Sequence, residues 1–263
     1  MKMLILLLLL LLLLPLSAQA RAESREDPAT RPFRPGESLS YEIRLLGIET
    51  AKAELEVFDD RGGVLRVRAQ ARTTGAADGI FRMQSQATCS LEPSLDPGLC
   101  RGNLKSRRST LRREVRFEKE EGVVAVRQMR NGKLKQSRIE FEPGLKEVHD
   151  TLSGLYLIRA KLPEVGQSIR FRGVVEGASG EVVAETLRTE MVETELGTFR
   201  TAVVEVKILG KHDEDTTTQA VLWITMDENR LPLKATTKAP IGSLEARLVA
   251  AKGVKAAGVL AQR

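Results

Sequence analysis

The stretch LSYEIRLLGIETAKAELEV, Leu39 to Val57, decides the fold. Leu39, Tyr41, Ile43 and Leu45 alternate with polar residues, and Ala51, Ala53, Leu55 and Val57 repeat the pattern. A period of two puts each apolar set on one face of a pleated strand. Asp59 to Gly63, DDRGG, is hairpin-turn chemistry, and Leu65, Val67, Ala69 and Ala71 return as the next strand.

Outward from this unit the alternation continues. Phe81, Met83, Ser85, Ala87, Cys89 and Leu91 form a weaker strand, followed by Leu111, Val115 and Phe117 on another. Val124 and Val126 begin a strand that ends at the two-residue turn Asn131-Gly132, and Ile139 and Phe141 close its partner. Short connections of this kind join sequential antiparallel strands.

The pattern breaks once. In DTLSGLYLIRAKL, Asp150 to Leu162, apolar residues fall at Leu152, Leu155, Tyr156, Ile158 and Leu162. Spacings of three and four predict a helix with one buried face, capped by Asp150 and ended by Pro163. Strands then resume over Ile169 to Glu176 and Glu181 to Glu193, around the turn Gly177 to Gly180, and over Phe199 to Leu209. Val221, Trp223 and Thr225 share one face and Leu222, Ile224 and Met226 the other, which predicts a central strand. Asp227 to Arg230 turns into Leu231 to Lys238, where Pro232 fits a strand start or edge. Leu244, Ala246 and Leu248 begin the last strand. The sum, roughly thirteen strands and one helix, predicts an all-β, mainly antiparallel protein. So many strands must curl, giving a curled sheet, an open barrel or a two-sheet sandwich.

The chain begins MKMLILLLLLLLLLPLSAQA, Met1 to Ala20. Lys2, the apolar run Leu4 to Leu14, Pro15 and the small residues of Ala18-Gln19-Ala20 read as a cleaved signal peptide. The run is shorter than the ~20 residues of a membrane span, and no lipid-accepting cysteine follows it. The expected location is the periplasm. Residues 21–35, with Pro28, Pro32 and Pro35, read as a flexible lead-in, 36–250 as a single β-rich domain, and 251–263 as a loose tail. No later segment is apolar enough to span a membrane as a helix.

Aromatic residues make up only 4% of the chain, so the core must rest on aliphatic side chains. The net charge of +6 gathers in one place, where Arg107, Arg108, Arg112, Arg113 and Arg116 face the single acid Glu114. Such a stretch is either a solvated strand face or a contact for an anionic partner. Nucleic acid is not expected, because the protein is exported and the stretch lacks stacking aromatics. Cys89 and Cys100 flank the turn-rich SLEPSLDPGL. In an oxidising compartment they are expected to form a disulfide across a hairpin.

Four stretches together resemble the exported bacterial family catalogued as domain of unknown function 3108. They are FRPGESLSYEIRLLGIETAKAEL (Phe33 to Leu55), DTLSGLYLIR (Asp150 to Arg159), ETELGTFRTAVVEV (Glu193 to Val206) and LWITMDENRLPLKATTKAPIGSLEARL (Leu222 to Leu248). Ala51-Lys52-Ala53 departs from the family's more usual Ala-Gly. The resemblance implies an exported β-rich domain of a double-membraned bacterium and brings no reaction, cofactor or catalytic residue.

Asp150, Ser153, Tyr156 and Arg159 recur every three residues along the helix and form the candidate helix motif. With His149 beside Asp150, a hydrolase constellation suggests itself. It fails because no G-x-S-x-G elbow exists and groups on one short helix cannot converge as a triad. The structural reading has Asp150 as cap, Ser153 in close packing, and Tyr156 and Arg159 as ties to strands. His149 and His212 are too few for a catalytic zinc site, and Asp213, Glu214 and Asp215 lack EF-hand spacing. Trp223 either anchors the core or lines a ligand cavity near Phe33 or Phe199.

No nucleophile–base set, metal cluster or phosphate loop is legible, so neither enzymatic turnover nor a cofactor is expected. Two functions fit. One is carriage of a lipid or other apolar or amphipathic envelope molecule in a curled sheet, with the helix as plug or lid. The other is a structural or assembly protein that binds another envelope protein through a sheet edge or the basic face.

Overall fold

The structure, a computed structural model, describes residues 31–59, 63–141, 147–175, 178–209, 219–239 and 242–255. The signal peptide, the centre of the DDRGG turn, His212 with its acidic loop, and the tail beyond 255 lie outside these residues.

The first half of the chain is a meander of β1 (Ser38–Leu45), β2 (Ile48–Asp59), β3 (Leu65–Thr73), helix α1 (Gly75–Phe81), β4 (Met83–Leu91), β5 (Pro97–Ser106), β6 (Thr110–Glu118), β7 (Val123–Arg130) and β8 (Lys133–Glu140). The second half has β9 (Val148–His149), helix α2 (Thr151–Ala160), β10 (Ser168–Val175), β11 (Ala178–Thr194), β12 (Gly197–Leu209), β13 (Gln219–Thr225), β14 (Pro232–Ala239) and β15 (Gly242–Lys252).

The fifteen strands among the described residues form one sheet, ordered β8 to β1 and then β15 back to β9. The first strand pairs with the last, with Ile43 opposite Ala246, so the two meanders become two arms of one surface. Every strand pair is antiparallel except β9 with β10. Among the described residues the sheet curls but does not close, which keeps the curled sheet or open barrel and removes the two-sheet sandwich from the alternatives. Register shifts at Ser40/Tyr41, Ile43/Arg44 and Thr186/Arg188 supply local bends, because a bulge adds a residue to one strand and sharpens its twist.

The sequence reading needs two corrections in its count of elements. The strands beyond thirteen are β5, which alternates weakly, and the two-residue β9. A second helix, α1, occupies the β3–β4 connection, so Phe81 ends a helix and the strand starts at Met83. At under two turns, α1 is too short to display a helical period. Its Asp78 is instead held by Arg82 at 2.8 Å and by the Thr73 hydroxyl at 2.9 Å. At the other terminus β15 runs to Lys252, and Asn229 exchanges hydrogen bonds of 3.0 and 2.8 Å with the Lys255 backbone.

The main core gathers Val67, Leu91 and Val115 from one arm and Val174, Ala184 and Val204 from the other. Between them lies α2, with Leu152, Tyr156, Leu157 and Ile158 all buried. The helix therefore buries most of its circumference rather than one face, because it sits inside the curl and meets both arms.

Candidate functional site

Contacts at its start, middle and end fix α2 in the curl. At its start, Asp150 accepts from the Ser153 backbone N–H at 2.8 Å, and the Ser153 hydroxyl accepts from the Asp150 N–H at 3.0 Å, a reciprocal capping box. Burial pushes the Asp150 carboxyl above its usual range, against the opposing pull of the Ser153 hydrogen bonds. In its middle, Gly154 lies so close to β10 that a Cβ there would sit 3.1 Å from the Phe171 ring. At its end, the Arg159 guanidinium grips Glu37 with two bonds of 2.7 and 2.9 Å and donates to the Arg230 and Asn229 carbonyls. The Arg230 guanidinium returns the contact by donating to the carbonyls of Arg159 and Ala160. Tyr156 lies beside this clasp, edge-on to Phe33 at 4.8 Å and 5.2 Å from the Arg159 guanidinium. Burial raises the Tyr156 and Tyr41 hydroxyl pKa values, so both stay protonated.

These contacts draw three of the four family-like stretches to one point. Glu37 comes from the first, Arg159 from the second, and Asn229 and Arg230 from the last. Tyr41 adds a tie by donating to the Pro232 carbonyl at 2.9 Å.

Beside α2 lies a cavity of about 260 Å³. Leu152, Leu155 and Ile158 form its helical wall, and residues of β1–β3 and β10–β15 form the rest. Its origin is in the alternation itself: inward positions of β2, β3, β13, β14 and β15 carry Ala53, Ala71, Ala220, Ala235 and Ala246. In the registers, Ala53 stands opposite Ala71 and Ala235 opposite Ala246, so small faces small and the space stays open. The polar side chains on the wall are Gln70, Asp150, Thr151, Thr236, Thr237 and Tyr41, whose hydroxyl is engaged with the Pro232 carbonyl. A smaller hollow of about 100 Å³ lies beyond the helix start, sharing Asp150, Thr151 and Leu152 and adding Cys100 and Arg113.

The remaining candidate residues disperse. Cys89 and Cys100 form a disulfide at directly opposed positions of β4 and β5. Their sulfurs lie near the Asp150 carboxylate, but bonded to each other they offer no thiolate to a metal. Ser153, Tyr156 and Arg159 face packed protein rather than the cavity. Trp223 does not line the cavity either: it faces away from Leu222 and carries the Lys234 ammonium 4.5 Å above its ring. Phe33 packs on Tyr156, while Phe199 belongs to a separate cluster with Leu231 and Leu233.

The basic stretch divides three ways. Arg107 and Arg108 sit in the β5–β6 turn, and Arg112 and Arg116 are exposed on β6, with Arg116 3.6 Å from Glu114. Arg113 points inward and donates to the Val174 carbonyl of the other arm at 3.4 Å. His149 is buried edge-on to Phe171, and burial holds its pKa at about 3.

Sequence reasoning passed over two parts of the site. Glu37 reads as a surface acid in a turn, and its role depends on a residue 122 positions away. The cavity left only a faint signal, the excess of alanine at inward positions.

Among solved structures, the chain is similar to a beta-barrel-like protein of domain of unknown function DUF1849 from Brucella abortus. The TM-score is 0.59 at 11% identity, covering 85% of this chain and 99% of that one. It is also similar to a DUF1089 family protein from Pseudomonas aeruginosa, with a TM-score of 0.42 at 13% identity, covering 70% of this chain and 88% of that one. At such identity the Brucella likeness shows the fold alone. No curated protein matches the sequence. Residues 40–249, which hold nearly all of the sheet, the capped helix and the cavity, match the family described as protein of unknown function (DUF3108), and the chain belongs to that family.

Proposed function

We propose that this protein is an exported carrier of the cell envelope, holding one apolar or amphipathic molecule between α2 and the sheet. The observation that carries the reading is the cavity of about 260 Å³ with alanines at its inward strand positions. A core under selection for stability alone closes such a space, since packed interiors leave few voids larger than a water molecule. The size suits a single aliphatic chain or small ring system, near the lower end of ligand pockets. Export is supported by the apolar run Leu4 to Leu14 followed by Ala18-Gln19-Ala20. No helix among the described residues is long and apolar enough to cross a membrane. The wall supports binding rather than turnover: threonines, a glutamine and a tyrosine accompany one carboxylate, with the tyrosine hydroxyl bound to the Pro232 carbonyl and the carboxylate committed to capping α2.

A second reading, an assembly protein that binds another envelope protein, is favoured by β8. Among the described residues this eight-residue strand ends the sheet with one side unpaired, and it is mostly exposed.

Native mass spectrometry of protein purified from its own envelope separates the two readings. A carrier retains a small apolar molecule, and an assembly protein retains a polypeptide. In vitro, a pyrene-labelled fatty acid should bind the protein, and Ala235→Phe should weaken that binding at least tenfold by filling the space. Equal binding by the variant overturns the carrier reading.

A further inference from the structure

We propose that the rim of the sheet at the cavity's open end is a docking face for an anionic lipid bilayer. This rests on the carrier reading and adds where the carried molecule is exchanged.

The two ends of the curl are built differently. One end is closed by Phe33, Tyr156 and the buried Arg159–Glu37 pair. The cavity lies toward the other end, where its wall includes Ala71 near the end of β3, Gly173 near the end of β10 and Leu244 near the start of β15. Among the described residues, that end bears the β1–β2 turn, α1, the β5–β6 turn and the β7–β8 turn, and a ligand approaching there meets the part of the cavity wall formed by β1–β3.

That rim has the composition of a membrane-seating surface. Leu46 and Ile48 at the β1–β2 turn are 66% and 69% exposed, and Ile80 of α1 is 76% exposed. Leu46 lies over Gly242 at the start of β15, but three large exposed aliphatic side chains grouped on connected turns mark an interaction surface. The connections are tied together. The Thr74 N–H before α1 donates to the Thr50 carbonyl of β2 at 3.0 Å, and the Thr74 hydroxyl meets Glu49 at 3.1 Å. Arg107 of the β5–β6 turn approaches the Asp78 carbonyl of α1 at 3.5 Å.

The charge around these residues is complementary to anionic headgroups. Arg107 and Arg108 occupy one turn, and Arg130 and Lys133 flank the next. The acids of the β1–β2 turn and α1 are matched locally, Asp78 by Arg82 at 2.8 Å and Glu49 by Lys52 at 3.9 Å. On these four described connections the surplus is positive. Aliphatic side chains that enter the interface, with basic side chains at headgroup level, bind anionic bilayers by two additive and separable terms. The basic cluster that the sequence displays thus acquires a place beside the cavity entrance, through Arg107 and Arg108 rather than through the whole stretch.

The test is co-sedimentation of the protein with vesicles of phosphatidylglycerol and phosphatidylethanolamine, and with vesicles of phosphatidylcholine alone. Binding is expected to the anionic vesicles and to weaken with salt. The Leu46→Ser/Ile48→Ser/Ile80→Ser variant, with exposed positions that leave Tm unchanged, should bind them at least tenfold more weakly. Arg107→Glu/Arg108→Glu should lower binding and flatten its salt dependence. Absence of wild-type binding to the anionic vesicles, or undiminished binding by the aliphatic variant, overturns the docking face. So does a retained protein partner released by the same substitutions when vesicles do not bind. The pyrene-labelled fatty acid is measured in parallel on every variant. Vesicle binding without fatty-acid binding supports the docking face while the carrier reading fails, and fatty-acid binding without vesicle binding does the reverse.

Discussion

Arg159 and Glu37 form a fully buried, two-pronged ion pair that joins the end of α2 to the start of β1, with the guanidinium 0% and the carboxylate 2% exposed. Burial opposes the charge on Arg159, but Glu37 outweighs it and raises the arginine pKa. The pair also carries carbonyl partners, Arg230 and Asn229, so the guanidinium is engaged on several sides.

Removing one partner leaves an uncompensated charge in the core. Arg159→Met is expected to cost about 3–5 kcal/mol in urea denaturation. The double variant Arg159→Met/Glu37→Leu should be more stable than Arg159→Met, because it removes the stranded carboxylate as well. A double variant less stable than the single one contradicts this account of the pair.

The Cys89–Cys100 disulfide joins neighbouring strands and closes a short loop with a separation of 11 residues. Reduction should lower unfolding free energy by about 3 kcal/mol or less, since the ladder still aligns the strands. Urea curves with and without reductant measure the difference, and a much larger loss would mean that β4–β5 pairing depends on the bond.

Parts of this fold could be read in one dimension, for physical reasons visible at particular residues. The alternation of Leu39 to Val57 reports strand faces because burial acts on every second residue. Asp150 and Ser153 report the helix start because a capping box is local. Glu37 and Arg159 could not be paired from sequence, since 122 residues separate them and nothing local distinguishes Glu37 from a solvated acid. Trp223 shows a subtler limit: parity separates its face from that of Leu222, but not which of the two looks inward. The cavity has the same difficulty, because Ala53 or Ala235 fits the alternation equally well beside a packed neighbour or an open space.

The helix cap yields a graded prediction. Asp150→Ala should cost about 1 kcal/mol by removing the acceptor for the Ser153 N–H. Asp150→Asn should cost less, since an amide oxygen also caps and its neutrality suits a site where burial disfavours the carboxylate. Thermal unfolding of the pair at neutral pH checks the order, and an Asn variant weaker than Ala would contradict it.

Buried His149 makes stability fall in mild acid. Burial holds its folded pKa at about 3, with Asp96 opposing the shift and Lys161 and Lys119 adding to it. In the unfolded chain an ordinary histidine takes up its proton near pH 6.5. Between these values the unfolded state binds more protons, so stability is full above pH 6.5 and declines as pH falls toward 3. Asp150, with its raised folded pKa, works in the opposite sense in the acid range and offsets part of the loss. His149→Leu should flatten the stability profile between pH 6.5 and 4 by a few kcal/mol. Chemical denaturation at stepped pH measures this, and an unchanged slope would show that other groups control the acid limb.

The open space beside α2 can be tested by stability as well as by ligand. Adding methylenes to a packed core costs about 1–3 kcal/mol because neighbours must leave their rotamers. Ala184 is 0% exposed in the main core and is absent from the cavity wall, so Ala184→Leu should show that cost. Ala235 borders the cavity, and Leu at that position has room to extend into it. Ala235→Leu should therefore be neutral or stabilising in protein stripped of any bound molecule. The advantage should vanish or reverse when the pyrene-labelled fatty acid saturates the wild type, because a ligand that binds only the folded state adds to its stability. If both substitutions cost the same in stripped protein, the space at Ala235 behaves as packed core and cannot hold a ligand.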